Sequence, residues 1–155
     1  MKFIQILQGF LAPVIAVLTL YIASQQWKGN KLKLRMEQYD RRYAVYLEVW
    51  KLISQVLSEA DISTQELLRF STATSQADFL FGPEMSSYVK EIFKHGNNLS
   101  MLNKQIRYYQ ETQIVPDGYD HVKSIRESTE ELEWFSNQLP PALNNKFRKY
   151  LDLNK

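Results

Sequence analysis

The alternation of apolar and polar positions divides the chain into an uninterrupted apolar opening and a series of amphipathic segments. From Phe3 to Ala23 no residue is charged, and twelve of these twenty-one are Leu, Ile, Val or Phe. At about 1.5 Å of rise per residue such a helix is roughly 31 Å long, close to the ~30 Å hydrocarbon thickness of a bilayer. The pattern therefore predicts a transmembrane helix, with 1–27 as anchor and 28–155 as a second, helical domain. Gln5 and Gln8 sit near its start. Pro13 is tolerated in lipid where neighbours satisfy the freed carbonyl, and Tyr21 and Trp27 suit an interfacial belt. The rival readings are a buried hairpin or core helix and a cleaved signal peptide. Against the latter, the apolar run is long and the basic charge follows it.

A second periodicity lies inside that run. Gln5, Gly9, Ala12, Ala16, Thr19, Ala23 and Gln26 succeed one another at spacings of 4, 3, 4, 3, 4 and 3, a stripe of small and polar residues down one helical face. In lipid, helices associate through small residues and interhelical hydrogen bonds, so the stripe is a candidate helix-packing seam and points to a homo-oligomer.

The remaining segments carry helical spacing. Leu32, Met36, Tyr39, Tyr43, Tyr46, Trp50, Ile53, Leu57 and Ala60 alternate steps of 4 and 3, which predicts a long amphipathic helix over 31–60 with this row as its seam. Gly29 and Asn30 precede it, where the chain either bends or continues. Ser63-Thr64-Gln65-Glu66 fits a capping box and opens a helix over 64–76 that should bury Leu67, Leu68 and Phe70. In Phe79-Leu80-Phe81-Gly82-Pro83-Glu84 the glycine can cap, the proline suits a first helical position and the glutamate complements the helix dipole. The three apolar residues before the glycine should tuck under the bundle. A helix over 83–113 follows, with Met85, Val89, Ile92, Gly96, Leu99, Leu102, Ile106 and Tyr109 in register and a possible break at His95-Gly96-Asn97-Asn98. Val115-Pro116-Asp117-Gly118 reads as a turn. The next helix, over 119–138, places Val122, Ile125, Leu132 and Phe135 on one face and Glu127, Glu130, Glu131 and Glu133 largely on another. Pro140-Pro141 ends it, and a short helix over 141–151 closes the chain. That tail can dock on the bundle, pair with the acidic row or lie on a membrane surface. The fold class is all-α: a transmembrane helix and a bundle of about four helices.

Charge adds an orientation. Residues 1–60 carry eight basic and four acidic side chains, whereas residues 61–155 carry eleven and thirteen. Lys28, Lys31, Lys33, Arg35, Arg41 and Arg42 follow the apolar run, and only Lys2 precedes it. The positive-inside rule then predicts a single-pass inner-membrane protein with its N-terminus outside and residues 28–155 in the cytoplasm. Membrane lipid is one expected partner, with Lys28, Lys31, Lys33 and Arg35 contacting anionic headgroups. No nucleic-acid-binding stripe is present. The chain has no cysteine, which fits a reducing compartment and removes thiol nucleophiles and thiolate metal sites.

The remaining chemistry is sparse. Five dispersed glycines make neither a phosphate loop nor a dinucleotide fingerprint, and no G-x-S-x-G elbow occurs. His95 has Glu91 one turn away, a weak metal signal, and His121 follows Asp117 and Asp120 beside a turn. Small helical ribonucleases of the HEPN superfamily place an arginine a few residues before a histidine, and neither histidine here has one. The expectation is a protein without enzymatic activity, metal or cofactor.

Two motifs, Tyr39-Asp40-Arg41-Arg42-Tyr43-Ala44-Val45-Tyr46 and Phe79-Leu80-Phe81-Gly82-Pro83-Glu84, follow an apolar N-terminus and a basic segment. In this order they resemble a set of small bacterial single-pass membrane proteins. The layout is also similar to the membrane accessory proteins of type VI CRISPR loci, which implies an oligomeric inner-membrane effector of antiviral defence, pore-like in action. A passive anchor or scaffold that recruits a cytoplasmic partner protein is the alternative. Within the motifs, Arg41 is an i,i+4 partner for Glu37. Arg42 is expected to reach another helix near Glu84, making Arg42 and Glu84 the interhelix contact.

Overall fold

The computed structural model describes residues 2–115 and 118–152, with side chains described from residue 13 onward. Six helices occur among the described residues, and no strand. In order they are α1 (Lys2–Glu59), α2 (Thr64–Ala73), α3 (Ala77–Phe81), α4 (Pro83–Thr112), α5 (His121–Ser136) and α6 (Ala142–Arg148). The chain forms two compact units, Met1–Gln38 and Tyr39–Lys155.

The first unit overturns an expectation. Among the described residues no helix is long and apolar enough to cross a membrane. The transmembrane helix over 3–23, the single-pass inner-membrane placement and the cytoplasmic assignment of the C-terminal domain are corrected accordingly. The physical reason is dilution of the apolar stretch: past Ala23 the described helix runs through the polar Ser24-Gln25-Gln26 and on to Lys28, Asn30 and Lys31. The seam residues Gln5, Gly9 and Ala12 lie outside the described side chains. Ala16, Thr19 and Ala23 are exposed, and the Thr19 hydroxyl donates to the Ile15 carbonyl one turn back at 2.7 Å. Lys28, Lys31, Lys33 and Arg35 are exposed too, with the Lys31 ammonium 5.3 Å from the Trp27 ring centre. Their headgroup role presupposes the span and falls with it. Gly29 and Asn30 do not interrupt α1.

In the second unit the core begins on the last part of α1. Val45, Val49, Leu52 and Val56 are buried at steps of 4, 3 and 4, with Ile53 beside them. The expected seam ran through Tyr46, Trp50, Ile53 and Leu57. The buried face is that seam turned by one residue, about 100°. The aliphatic row goes inside, where it packs without polar groups to satisfy. Tyr43 and Trp50 remain exposed, and Tyr39, Tyr43 and Tyr46 stack in sequence at 6.0 and 5.7 Å between ring centres.

The end of α1 is fixed from a distance. Ala60 sits at φ 53°, in the left-handed region, and its carbonyl accepts from the Asn103 amide at 2.9 Å. The same amide reaches Asp61 at 2.9 Å, and Ser128 donates to the Asn103 carbonyl oxygen at 2.8 Å. One α4 side chain thus ties the α1–α2 corner to α5. The capping box before α2 forms as its sequence predicts: Glu66 N–H donates to Ser63 Oγ at 3.2 Å, and Ser63 N–H donates to Glu66 Oε2 at 2.9 Å. Leu67 and Phe70 are buried, but Leu68 is exposed.

Of the Phe79-Leu80-Phe81 cluster only Phe81 is buried and Leu80 partly so; Phe79 is 92% exposed, contrary to the expected tuck. Gly82, at φ 86°, ends α3 and leads into Pro83 at the first position of α4. No break occurs at His95-Gly96-Asn97-Asn98, because Gly96 is a packing residue. A Cβ there would lie 2.8 Å from Leu67 Cδ2, with Phe135 and Ile62 behind. On α5 the expected apolar face is also corrected. Val122 is 77% exposed and Ile125 exposed, while Ser124, Ser128 and Phe135 are buried. Small serines let α5 approach α4 closely, and Ser128 satisfies its hydroxyl on Asn103. The tail docks on the bundle. Leu143 and Phe147 of α6 are fully buried, and Phe147 meets Tyr46 and Phe81 edge-on at 5.3 and 5.5 Å.

Gly96→Ala gains about 1 kcal/mol of helix propensity but overpacks a filled site at a cost of about 1–3 kcal/mol. Urea unfolding should show a net loss near 1 kcal/mol, recovered in part when Leu67→Val makes room. Ser63→Ala should cost about 1 kcal/mol at neutral pH. The Ser63 backbone N–H, then its hydroxyl, hold Glu66 below the ordinary carboxylate range. A lowered folded-state pKa adds stability that is full above the unfolded value and is lost as pH falls through the folded one. The gap between wild type and Ser63→Ala should therefore narrow in acid.

Candidate functional site

Two polar constellations stand out in the second unit, and the first of them joins the two motifs that the sequence marks. The first gathers Arg42, α3 and the tail. Arg42 Nε donates to the Leu80 carbonyl at 2.9 Å, and Nη1 donates to the Tyr150 carbonyl at 3.3 Å. These carbonyls lie near helix ends and lack intrahelical donors, so a guanidinium fork suits them. Arg42 thereby joins the Tyr39–Tyr46 motif to the Phe79–Glu84 motif, as expected, but not through Glu84. Glu84 pairs instead with Lys149, in a contact whose side chains are at least half exposed. The Lys149 ammonium, through its hydrogen bond, holds the Glu84 carboxyl below its ordinary range, and Glu84 raises Lys149 in turn. The Arg42–Glu84 pairing is corrected to two separate contacts. Arg42 caps backbone instead, donating to two carbonyls that lie near helix ends.

The second constellation is a cavity of about 500 Å³ between α4 and α5. His95 Nδ1 lies 2.5 Å from Glu131 Oε2, and the Asn98 amide donates to Glu131 Oε1 at 3.1 Å. The Glu131 side chain is only 15% exposed, so both oxygens are used where water is scarce. The His95 ring lies flat on Trp134, 3.9 Å between centres. Met101 and Leu102 supply apolar wall, and Glu127 and Glu130 also line the cavity. The acidic row and His95 were legible as residues, but their meeting was not. Glu131 lies 36 positions from His95. Only the pairing of α4 with α5 brings them together, and that pairing was masked by the misleading apolar row of Val122 and Ile125.

His121 has a different environment. Its Nδ1 is 2.8 Å from the Tyr119 hydroxyl and its ring packs 4.5 Å from Tyr109. Asp120 accepts from the Lys123 N–H at 3.0 Å as the cap of α5. Asp117 lies outside the described residues. Among the described residues no group of three His, Asp or Glu side chains converges as a metal site.

Comparison with protein-family models, curated proteins and solved structures finds no match to this chain.

Arg42→Ala should destabilise the second unit by about 2 kcal/mol, the scale for charge-assisted hydrogen bonds left unmade. The double charge reversal Arg42→Glu with Glu84→Arg should recover none of this in urea unfolding, since the two residues do not face each other.

Proposed function

We propose that this chain is a non-enzymatic, self-associating helical scaffold. The observation that carries the reading is the apolar part of α1 in the first unit. Val14, Ile15, Val17, Leu18, Leu20 and Ile22 are each more than half exposed. Further along, Trp27, Leu32, Leu34 and Met36 are exposed as well. Successive residues on a helix are about 100° apart, so these side chains surround it rather than form one stripe. A helix apolar on all sides is stable only when covered, and exposed apolar surface on this scale marks an association site.

Second copies of the chain are the covering surface proposed. Ala16, Thr19 and Ala23 keep the 3 and 4 spacing along one face. Small residues in such a row let two helix axes come close, with flanking Leu, Ile and Val side chains closing around the contact. The docked tail and the Arg42 contacts give the second unit a fixed shape, which suits a scaffold. No step of catalysis is assigned to the His95–Glu131 pair in this reading.

Sedimentation of the full chain at micromolar concentration should give a mass of at least two copies. Ala16→Leu with Ala23→Leu should shift the population toward monomer by about tenfold or more in association constant, with helicity unchanged. A monomer at all concentrations, or recovery only together with lipid vesicles, would overturn the proposal.

A further inference from the structure

The cavity between α4 and α5 has an uneven chemistry. Its lining includes the carboxylates of Glu127, Glu130 and Glu131 and no lysine or arginine. Lys123 and Arg126 approach Glu127 and Glu130 from one turn away on α5, each at 3.7 Å with well-exposed side chains. Such pairs are loose and screened, and they leave both carboxylates able to accept a closer partner. Glu131 is different, held by His95 and Asn98 in a fixed position with its charge partly desolvated. The Trp134 indole also lines the cavity, with one of its faces taken by the His95 ring. Met101 and Leu102 provide apolar wall.

We propose that this cavity binds a guanidinium group carried on a short aliphatic stem, from either a free small molecule or an arginine side chain of a partner. The planar fork of a guanidinium matches the carboxylate oxygens of Glu127 and Glu130, which line the cavity side by side on α5. It is also less strongly hydrated than an ammonium, so it enters a part-apolar cavity more readily. The methylene stem takes the Met101 and Leu102 wall. A volume near 500 Å³ is within the range of small-ligand sites, and far more than a bare metal ion needs. A smaller cavity of about 230 Å³ shares Leu102, Gln105 and Glu127 with the first and continues toward Gly118 and Tyr119. That continuation has room for whatever flanks the cationic group. The inference is independent of self-association.

The test is calorimetric titration of the full chain at low ionic strength with N-acetyl-arginine methylamide. The corresponding citrulline derivative is the uncharged control, and a blocked pentapeptide of glycine with one central arginine is a second ligand. The arginine compound should bind at least about tenfold more tightly than the citrulline one, and added salt should weaken it. Glu127→Gln with Glu130→Gln alters exposed or partly exposed side chains, and should weaken binding about tenfold without loss of helicity. The Trp134 indole N–H signal should shift on titration, while those of Trp27 and Trp50, which do not line the cavity, stay in place. A pentapeptide that binds much more tightly than the blocked amino acid identifies a partner's side chain as the source. Equal affinities identify a small molecule. Equal binding of the citrulline control, an unchanged affinity in the double variant, or no saturable binding overturns the proposal.

Discussion

Apolar side chains have to be covered, and the two units meet that constraint in opposite ways. In the second unit Val49, Val56, Ile92, Leu99, Phe135, Leu143 and Phe147 have no exposed surface at all. In the first, every described bulky apolar residue from Val14 to Met36 is exposed. At roughly 25 cal/mol per Å² of apolar surface, each uncovered Leu or Ile forgoes about 1–2 kcal/mol that burial would contribute. The same α1 helix therefore carries a satisfied face near its end and an unsatisfied circumference earlier on. The scaffold reading follows from that contrast.

Within the second unit, α4 is the element around which packing is arranged, and small residues decide how close its neighbours come. Gly96 admits Leu67 of α2, and Ser124 and Ser128 of α5 replace the bulky residues that a generic amphipathic helix would bury. Close approach creates polar obligations, and single side chains with several donors discharge them. Asn103 serves the Ala60 carbonyl, Asp61 and Ser128 together, and Arg42 serves the Leu80 and Tyr150 carbonyls. These clamps join segments distant in sequence: Arg42 holds the tail, and Asn103 holds the α1–α2 corner.

Local chemistry made much of this architecture legible in the sequence. The Ser63–Glu66 capping box, Pro83 at the start of α4 and the α4 row from Met85 to Leu99 are set by residues a few positions apart. Choices between competing faces were not legible. On α1 both Val45-Val49-Leu52-Val56 and Tyr46-Trp50-Ile53-Leu57 satisfy the same period, and only contact with the other helices selects the aliphatic row. On α5 the period favoured Val122 and Ile125, whereas close contact with α4 required Ser124 and Ser128. The long apolar opening misled for a related reason, since composition alone does not say what covers a hydrophobic helix. The His95–Glu131 pair was invisible because it depends on that α4–α5 contact.

The central claim is that the apolar part of the first unit is covered by association between copies. Amide hydrogen exchange followed over a dilution series tests it most directly. Protection of amides from Val14 to Met36 should rise with protein concentration, while that of amides from Val89 to Leu99 stays constant. Protection over Val14 to Met36 that does not change with concentration would contradict the account.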